Sequence, residues 1–301
     1  MGTFPEDRLS KLTLGTVQLG MPYGYAVKTH PPSPAQRAQL LNTAYRSGIT
    51  CFDTAQAYGN AEPVLGQWLN DPIADYAQPL LVSKFPQASD AEPGAFVRDA
   101  ARRSLAALGR ERIDAYLAHH PEDIFDPTVT NTLRTLCAEG AIGSFGVSVY
   151  EPTQLEKALQ MDGLSVVQVP ASLLDQRFQE DGLLQRCADQ GVTVFARSIF
   201  LQGVLLMPVD QLPASLAPAA TPIAALQTLA AEIGCPLESL ALAAVLSMPG
   251  VRSAVVGVAN ETQLRRNIAA FENMPGQDAA QAALAICETL PLDVIDPRRW
   301  T

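Results

Sequence analysis

The chain alternates short apolar runs with stretches in which apolar residues recur at helical spacing. Residues 12–17 form the first apolar run and are predicted to be a strand, in which Gly15 leaves room for close approach to the backbone. Ser33 followed by Pro34 is typical of a helix start, and Gly48 ends the predicted helix. A second strand then runs to Asp53, so the chain begins with the order strand, helix, strand.

This alternation continues to the end of the chain. The further predicted strands cover residues 79–84, 113–119, 143–148, 165–169, 192–197 and 253–257. The further predicted helices cover residues 62–69, 93–108, 127–139, 152–159, 181–190, 222–233, 237–247, 261–271 and 278–290. Residues 198–221 show no period of their own, and a loop of this length in a compact domain is usually functional.

Eight strand candidates, each followed by a helix, favour a closed (β/α)₈ TIM barrel over an open doubly wound sheet. A single domain spanning residues 1–301, with an extra C-terminal helix and tail, is the simplest organisation. The composition fits this expectation, because 48% hydrophobic and 17% charged residues are ordinary for a protein with a sizeable core.

Charge and cysteine content narrow the possible partners. The net charge of −10 opposes nucleic acid and anionic membrane surfaces as main partners. The five cysteines are scattered and form no C-x-x-C pair, which argues against a disulfide framework and a zinc site and favours a reducing cytoplasm. No signal pattern begins the chain, and no apolar run approaches the roughly 18 residues that a membrane span needs, so we expect no membrane insertion.

Polar residues end several predicted strands. Asp53, Lys84 and His119 each close an apolar run, and Tyr58 follows Asp53 by five residues. Ser148, Gln168 and Arg197 lie at later strand ends. A lone strand-end Lys or Asp is more often part of a structural ion pair, but barrel enzymes carry their chemistry at the carboxyl ends of strands. The combination therefore predicts an active site.

These residue types suit the polarisation and protonation of a carbonyl oxygen while a hydride reaches its carbon. A phenol has a pKa near 10, and we expect Lys84 to lower the pKa of Tyr58 while Asp53 keeps the ammonium charged. His119 is positioned to hydrogen-bond the same substrate oxygen. The set contains no nucleophile, and only three histidines argue against a metal site.

Other chemistries lack their motifs in this sequence. It contains no G-x-S-x-G, no G-x-x-x-x-G-K-[ST] and no H-E-x-x-H. Gly140, Gly143 and Gly146 precede a predicted strand and do not follow one, so they make no Rossmann fingerprint. A nicotinamide cofactor would therefore bind without a Rossmann domain.

Across nearly its whole length the chain resembles the aldo-keto reductase superfamily. The matching segments, in chain order, are Leu14-Gly-Thr16, Phe52-Asp-Thr-Ala-x-x-Tyr-Gly59, Val82-Ser-Lys84, Leu117-x-His-His-Pro121, Gly140-x-Ile-x-x-x-Gly-Val-Ser148, Gln168, Phe200-Leu-Gln-Gly203 and Val256-Gly257 with Gln263-Leu-x-x-Asn267. The resemblance implies a catalytic tetrad with Tyr58 as the general acid in reduction. The tetrad residues are Asp53, Tyr58, Lys84 and His119.

The same resemblance implies a set of cofactor contacts. Ser148 and Gln168 would hold the nicotinamide carboxamide, the segment from Arg197 to Gly203 would cradle the pyrophosphate, and a helix start near Asn260 would suit a phosphate. The implied contacts are Gly15, Thr16, Asp53, Ser148, Gln168, Arg197, Ser198, Leu201, Gly203, Gly257, Gln263 and Asn267.

Some positions depart from the family pattern. Arg197 stands where an aromatic residue usually stacks on the nicotinamide ring, and its charge could instead meet a phosphate or an acidic substrate. Gly257 and Gln263 stand where family members carry a Lys and an Arg for the 2′-phosphate. Family frequency favours NADP (NADPH), with NAD as the other possibility.

The function expected from the sequence is reduction of an aldehyde, ketone or sugar carbonyl. A sugar dehydrogenase working mainly in oxidation and a non-enzymatic, cofactor-binding regulatory barrel are the alternatives, and retention of all four tetrad residues argues against the second. The loop after Gly20, residues 121–125 and the tail to Trp300 are expected to set specificity. No pattern in them identifies the substrate, and none indicates an oligomeric state.

Overall fold

Eight parallel strands form a closed barrel. The structure is a computed structural model, and it describes residues 3–25, 30–71, 78–88, 91–180 and 182–300. Each strand pairs with the next along the chain, and the last pairs with the first. The strands are β1 (Leu12–Gly15), β2 (Cys51–Asp53), β3 (Leu80–Phe85), β4 (Ile113–Ala118), β5 (Ile142–Ser148), β6 (Val166–Pro170), β7 (Thr193–Arg197) and β8 (Val251–Gly257). The predicted (β/α)₈ barrel is confirmed.

Helices alternate with the strands, and the longer ones cover the outside of the barrel. The helices are α1 (Val17–Gly20), α2 (Pro34–Arg46), α3 (Ala61–Leu69), α4 (Pro93–Leu108), α5 (Pro127–Ala138), α6 (Pro152–Ala158), α7 (Arg177–Glu180), α8 (Leu183–Asp189), α9 (Ala220–Ile233), α10 (Leu237–Ser247), α11 (Glu261–Glu272), α12 (Gln277–Ile286) and α13 (Leu292–Ile295). Local capping explains several boundaries. Ser33 accepts a hydrogen bond from the Gln36 N–H, while the Gln36 side chain accepts one from the Ser33 N–H.

Several predicted boundaries were wrong. The first strand ends at Gly15, because Val17 already begins α1. The last predicted helix, residues 278–290, is α12 and ends at Ile286. Asp181, the predicted start of the helix that became α8, lies outside the described residues.

The segment after β7 has more structure than the sequence predicted. It contains three 3₁₀ helices, Leu201–Leu206, Val209–Gln211 and Ala214–Ala219, before α9 begins. In the described parts of the chain, no one helix has both the length and the apolar composition to cross a membrane. By length and composition alone, Ala214–Ile233 and Leu237–Ser247 would qualify together, but a 100° bend separates them.

The core has two layers. Inside the barrel, alternate strand residues such as Val82, Leu117 and Phe195 pack together, and Phe4 covers them with its ring centroid 5.5 Å from that of Phe195. Between barrel and helices, the intervening strand residues join a larger apolar cluster that includes Leu14 and Phe52. Because side chains alternate along a strand, the interior-facing positions near the carboxyl ends are free to carry polar groups.

Candidate active site

A cavity of about 530 Å³ lies at the carboxyl ends of the strands. Most of the predicted site residues line it: Gly15, Thr16, Asp53, Tyr58, His119, Ser148, Gln168, Arg197, Ser198, Gly203, Gly257, Gln263 and Asn267. Two predicted residues do not line it. Lys84 is fully buried and contacts the lining residue Asp53, and the Leu201 side chain is buried in the core.

Lys84 and Asp53 form a buried ion pair below the cavity. The Lys84 Nζ lies 2.7 Å from Asp53 Oδ1 and also donates to the Thr54 carbonyl at 3.0 Å. Burial lowers the pKa of Lys84, whereas the Asp53 carboxylate acts to raise it. Strand geometry explains the contact, because Asp53 pairs with Val82 in β3, two residues before Lys84 on the same face.

Tyr58 and His119 meet beside this ion pair. The two rings are in edge contact with centroids 5.6 Å apart, and the Lys84 Nζ lies 5.1 Å from the centroid of the Tyr58 ring. His119 directly follows β4, and its backbone N–H donates to the Phe85 carbonyl of β3. The four predicted tetrad residues are therefore brought together at one end of the cavity.

Burial, and not the neighbouring ammonium, controls the titration of Tyr58. Its pKa is raised well above the ordinary value, first by desolvation and then by the Asp53 charge. Burial therefore outweighs the predicted lowering of the Tyr58 pKa by Lys84, and the net shift of this pKa is upward. Burial and the cations Lys84 and Arg197 lower the pKa of His119 to about 3, so its imidazole is neutral at neutral pH.

Gln168 connects the tetrad to the strands across the barrel. Its Nε2 donates to Asp53 Oδ1 at 2.8 Å, so that this oxygen accepts hydrogen bonds from both Gln168 and Lys84. Ser148 is the β5 partner of Gln168 and is also buried. The sequence missed the contact with Asp53 because it joins residues 115 positions apart in the chain.

The segment from Ser198 to Gly203 has an unusual backbone. In the described residues, the non-glycine residues with positive φ are Ser198 (63°), Leu201 (47°) and Gln202 (51°), and all lie here. Strained residues of this kind cluster at ligand-binding sites. The Leu201 and Gly203 N–H groups each donate at 2.8 Å within the segment, to the carbonyls of Ser198 and Phe200.

Arg197 contacts an aromatic residue that the sequence did not single out. Its guanidinium lies 4.6 Å from the ring centroid of Tyr150, and its Nη2 donates to the Val149 carbonyl at 2.9 Å. Arg298 lies 3.7 Å from the same ring and pairs with the buried Asp296. Tyr150, Asp296 and Arg298 all line the cavity.

The tail therefore reaches the cavity. Pro297 lines it as well, and Trp300 packs edge-on against Tyr25 with ring centroids 4.7 Å apart. The indole of Trp300 donates to the Val294 carbonyl at 3.2 Å, which fixes the ring. No periodicity in the sequence predicted this position, because the contacts connect the two ends of the chain.

The opposite side of the cavity is formed by the end of β8 and by α11. Asn260 caps α11 by accepting from the Gln263 N–H at 2.9 Å, and the Gln263 side chain accepts from the Ala259 N–H at 2.8 Å. These two groups complete the helix start that was predicted to suit a phosphate. Gln18 packs against Gly257, so closely that a Cβ at position 257 would lie 2.7 Å from Gln18 Oε1.

Glu238 is another lining residue that the sequence did not indicate. It lies in the first turn of α10, where an acidic residue is usually an ordinary partner of the helix dipole. Its carboxylate is buried, lines the cavity and forms an ion pair with Arg266 of α11. Arg266 lines the cavity as well.

Comparisons with known proteins find relatives that match most of this chain. A family model described as "Aldo/keto reductase family" matches residues 11–287. The NADH-specific methylglyoxal reductase of Escherichia coli (strain K12) is 28% identical over 271 residues, covering 78% of this chain and 83% of that protein. An uncharacterized oxidoreductase of Mycobacterium bovis is 30% identical over 287 residues, covering 88% of this chain and 85% of that protein.

A solved structure shows the same fold. The holo form of an aldo-keto reductase from Bacillus halodurans superimposes with a TM-score of 0.76 at 22% identity and covers 97% of this chain and 96% of that one.

Proposed function

This chain belongs to the aldo/keto reductase family, and we propose that it is an oxidoreductase that reduces the carbonyl group of a small aldehyde, ketone or sugar to the alcohol, with Tyr58 as the general acid. A nicotinamide dinucleotide would supply the hydride. We further propose that residues 1–301 act as one catalytic barrel in a reducing cytoplasm.

The observation that supports this proposal is that the side chains of the four tetrad residues lie together at one end of the cavity. Lys84 lies 2.7 Å from Asp53 and 5.1 Å from the centroid of the Tyr58 ring, which in turn contacts His119. A phenol held between an ammonium and a neutral imidazole suits proton donation to a developing alkoxide. The cavity gives this cluster room for a substrate beside it.

Each residue has a role that follows from its surroundings. Burial raises the pKa of Tyr58, so the hydroxyl keeps its proton through neutral pH and has one to donate. The neutral His119 can donate a hydrogen bond to the carbonyl oxygen without competing as an acid. Lys84 stabilises the phenolate that forms when Tyr58 gives up its proton, and Asp53 fixes the ammonium.

The cavity also fits a dinucleotide. Gly15 and Gly257 are paired neighbours on β1 and β8, and their lack of side chains exposes backbone to a ligand. Gln18 Oε1 is buried with no hydrogen-bond partner among the described residues, which suits a ligand that carries a donor. Ser148, Gln168, Arg197 and Ser198 would hold the nicotinamide half, with Gly257, Gln263 and Asn267 at the other half.

The name of one relative suggests which substrate and which dinucleotide to test first. The protein from Escherichia coli is named as an NADH-specific methylglyoxal reductase, whereas family frequency favours NADPH. Methylglyoxal and a panel of simple aldehydes, each assayed with NADH and with NADPH, would therefore reveal the activity. The fall in nicotinamide absorbance is the measurement.

Tyr58→Phe tests the proposed acid directly. The variant should lose about 10²- to 10⁴-fold in kcat/KM, because it removes the transferred proton while keeping the ring. Dinucleotide affinity, measured by titration calorimetry, should stay close to that of the wild type. Tyr45→Phe is the matched control, since Tyr45 contacts Trp68 outside the cavity and its loss should leave turnover unchanged. Wild-type turnover in Tyr58→Phe would refute the role of the phenol.

A further inference from the structure

The side of the cavity opposite the tetrad has a chemistry of its own. Tyr58 and His119 follow β2 and β4, whereas Gly257 ends β8, which lies across the barrel from β4. On the proposed function the reactive ring lies at Tyr58, and the cavity extends from there to Gly257 and Asn267, so we place the adenosine half beside β8 and α11. The residues there decide which adenosine ribose is accepted.

We propose that Glu238 makes this site selective for a dinucleotide with a free adenosine ribose diol, as in NADH, over one with a 2′-phosphate, as in NADPH. The inference rests on the proposed function and names its reductant.

The first argument is the charge balance of the adenosine side. Glu238 lines the cavity with its side chain only 4% exposed, and its partner Arg266 is 69% exposed. The guanidinium and the carboxylate therefore neutralise each other, and the more buried of the two charges is the negative one. Buried charges are screened less by salt and water than exposed ones.

The second argument is that, among the described residues on this side, the cation that lines the cavity is Arg266, which already pairs with Glu238. Gly257 has no side chain, and any side chain placed there would meet Gln18, whose Oε1 would lie 2.7 Å from the added Cβ. Gln263 is neutral, and its side-chain oxygen already accepts from the Ala259 N–H. Arg265 pairs with Glu261 on the exposed surface of α11 and does not line the cavity.

The third argument is hydrogen-bond complementarity. An ionised carboxylate only accepts hydrogen bonds, and a ribose hydroxyl donates one. A phosphate monoester at neutral pH carries a charge of about −1.5 to −2 and offers mainly acceptor oxygens. Glu238 thus suits a diol and repels a 2′-phosphate, in the way that an acidic residue selects NAD in other dinucleotide sites.

Titration calorimetry with NADH and NADPH on the wild-type protein tests the selectivity itself. We expect NADH to bind about 10- to 100-fold more tightly than NADPH, since a like-charge contact in an interface is unfavourable and the Arg266 partner offsets part of it. Equal affinity, or tighter binding of NADPH, would overturn this inference and leave the proposed function standing. Binding of neither dinucleotide would overturn both.

Charge variants separate electrostatic selection from a merely structural role. The ratio of NADPH affinity to NADH affinity should be highest in Glu238→Gln, which leaves Arg266 unpaired, and lower in the double variant Glu238→Gln with Arg266→Gln. It should be lower again in the wild type and lowest in Arg266→Gln.

The controls keep this test interpretable. Glu232→Gln removes an exposed carboxylate from α9 and should leave the ratio at the wild-type value. If Glu238 served only the packing of α10 against α11, its variants would weaken both dinucleotides by the same factor, and the ratio would not move. An unchanged ratio would overturn the inference even if a single variant were less stable. The double variant leaves neither charge unpaired, so its ratio can be compared with that of the wild type.

Discussion

Replacing Lys84 with methionine should destabilise the protein markedly, because it leaves Asp53 without its ammonium partner. Methionine nearly matches lysine in length and flexibility, so Lys84→Met removes the charge and little of the packing. Lys84 is fully buried and donates to both Asp53 and the Thr54 carbonyl. The variant therefore isolates the contribution of the buried charge.

The magnitude follows from the burial of the pair. Removing one partner of a buried ion pair costs about 3–5 kcal/mol, and the remaining hydrogen bond from Gln168 to Asp53 favours the lower end. An unfolding entropy of about 2.1 cal/mol/K per residue gives roughly 0.6 kcal/mol/K for the 301-residue chain. Lys84→Met should therefore lower Tm by about 5–8 °C, with a value near 5 °C favoured by the remaining hydrogen bond.

Thermal unfolding followed by circular dichroism measures this shift. The double variant Asp53→Asn with Lys84→Met removes both charges and should recover much of the lost Tm, because no unpaired charge stays buried. Lys11→Met, at an exposed position, is the matched control and should change stability by no more than about 0.5 kcal/mol. A Tm of Lys84→Met equal to that of the wild type would refute the reasoning, as would a double variant no more stable than the single one.

Two further predictions concern pH and backbone packing. Burial lowers the pKa of His119 from 6.5 to about 3. Between pH 6.5 and pH 3 the unfolded chain therefore binds more protons than the folded chain, and the free energy of unfolding falls as pH drops through this range. Urea unfolding at pH 7 and about pH 4.5 should thus show a smaller loss in His119→Gln than in the wild type, and equal losses would contradict the assignment. Gly146→Ala should destabilise by several kcal/mol or prevent folding, because its Cβ would lie 1.7 Å from the Val166 carbonyl oxygen. Gly276→Ala, where nothing lies within 4 Å of the added Cβ, is the control, and equal Tm values for the two variants would argue against close packing of β5 on β6.

Local signals explain why much of the fold could be predicted. Pro93 opens α4 and Gly109, with φ of 60°, ends it, so the predicted boundaries match those observed. Strand-end polar residues such as Asp53 and Lys84 were visible because a charged group interrupts an apolar run. Boundaries failed where a short helix closely followed a strand, as at Val17.

Parts of the site could not be predicted, because they depend on distant contacts. Desolvation raises the pKa of Tyr58, and desolvation is a property of the folded surroundings and not of the neighbouring lysine alone. Gln168 was predicted as a ligand contact, but its hydrogen bond to Asp53 joins two separate strands. Glu238 resembles any acidic residue in the first turn of a helix until α11 brings Arg266 to it.

The sequence by itself determined the order of strands and helices, the barrel that eight such units close, and the residue types at the strand ends. Those features depend on periodicity and capping, which act over a few residues. Only the tertiary structure decided which side chains meet, which charges are buried, and that the tail brings Arg298 to Tyr150. Burial and charge pairing depend on chain segments far apart in sequence, and no local pattern contains them.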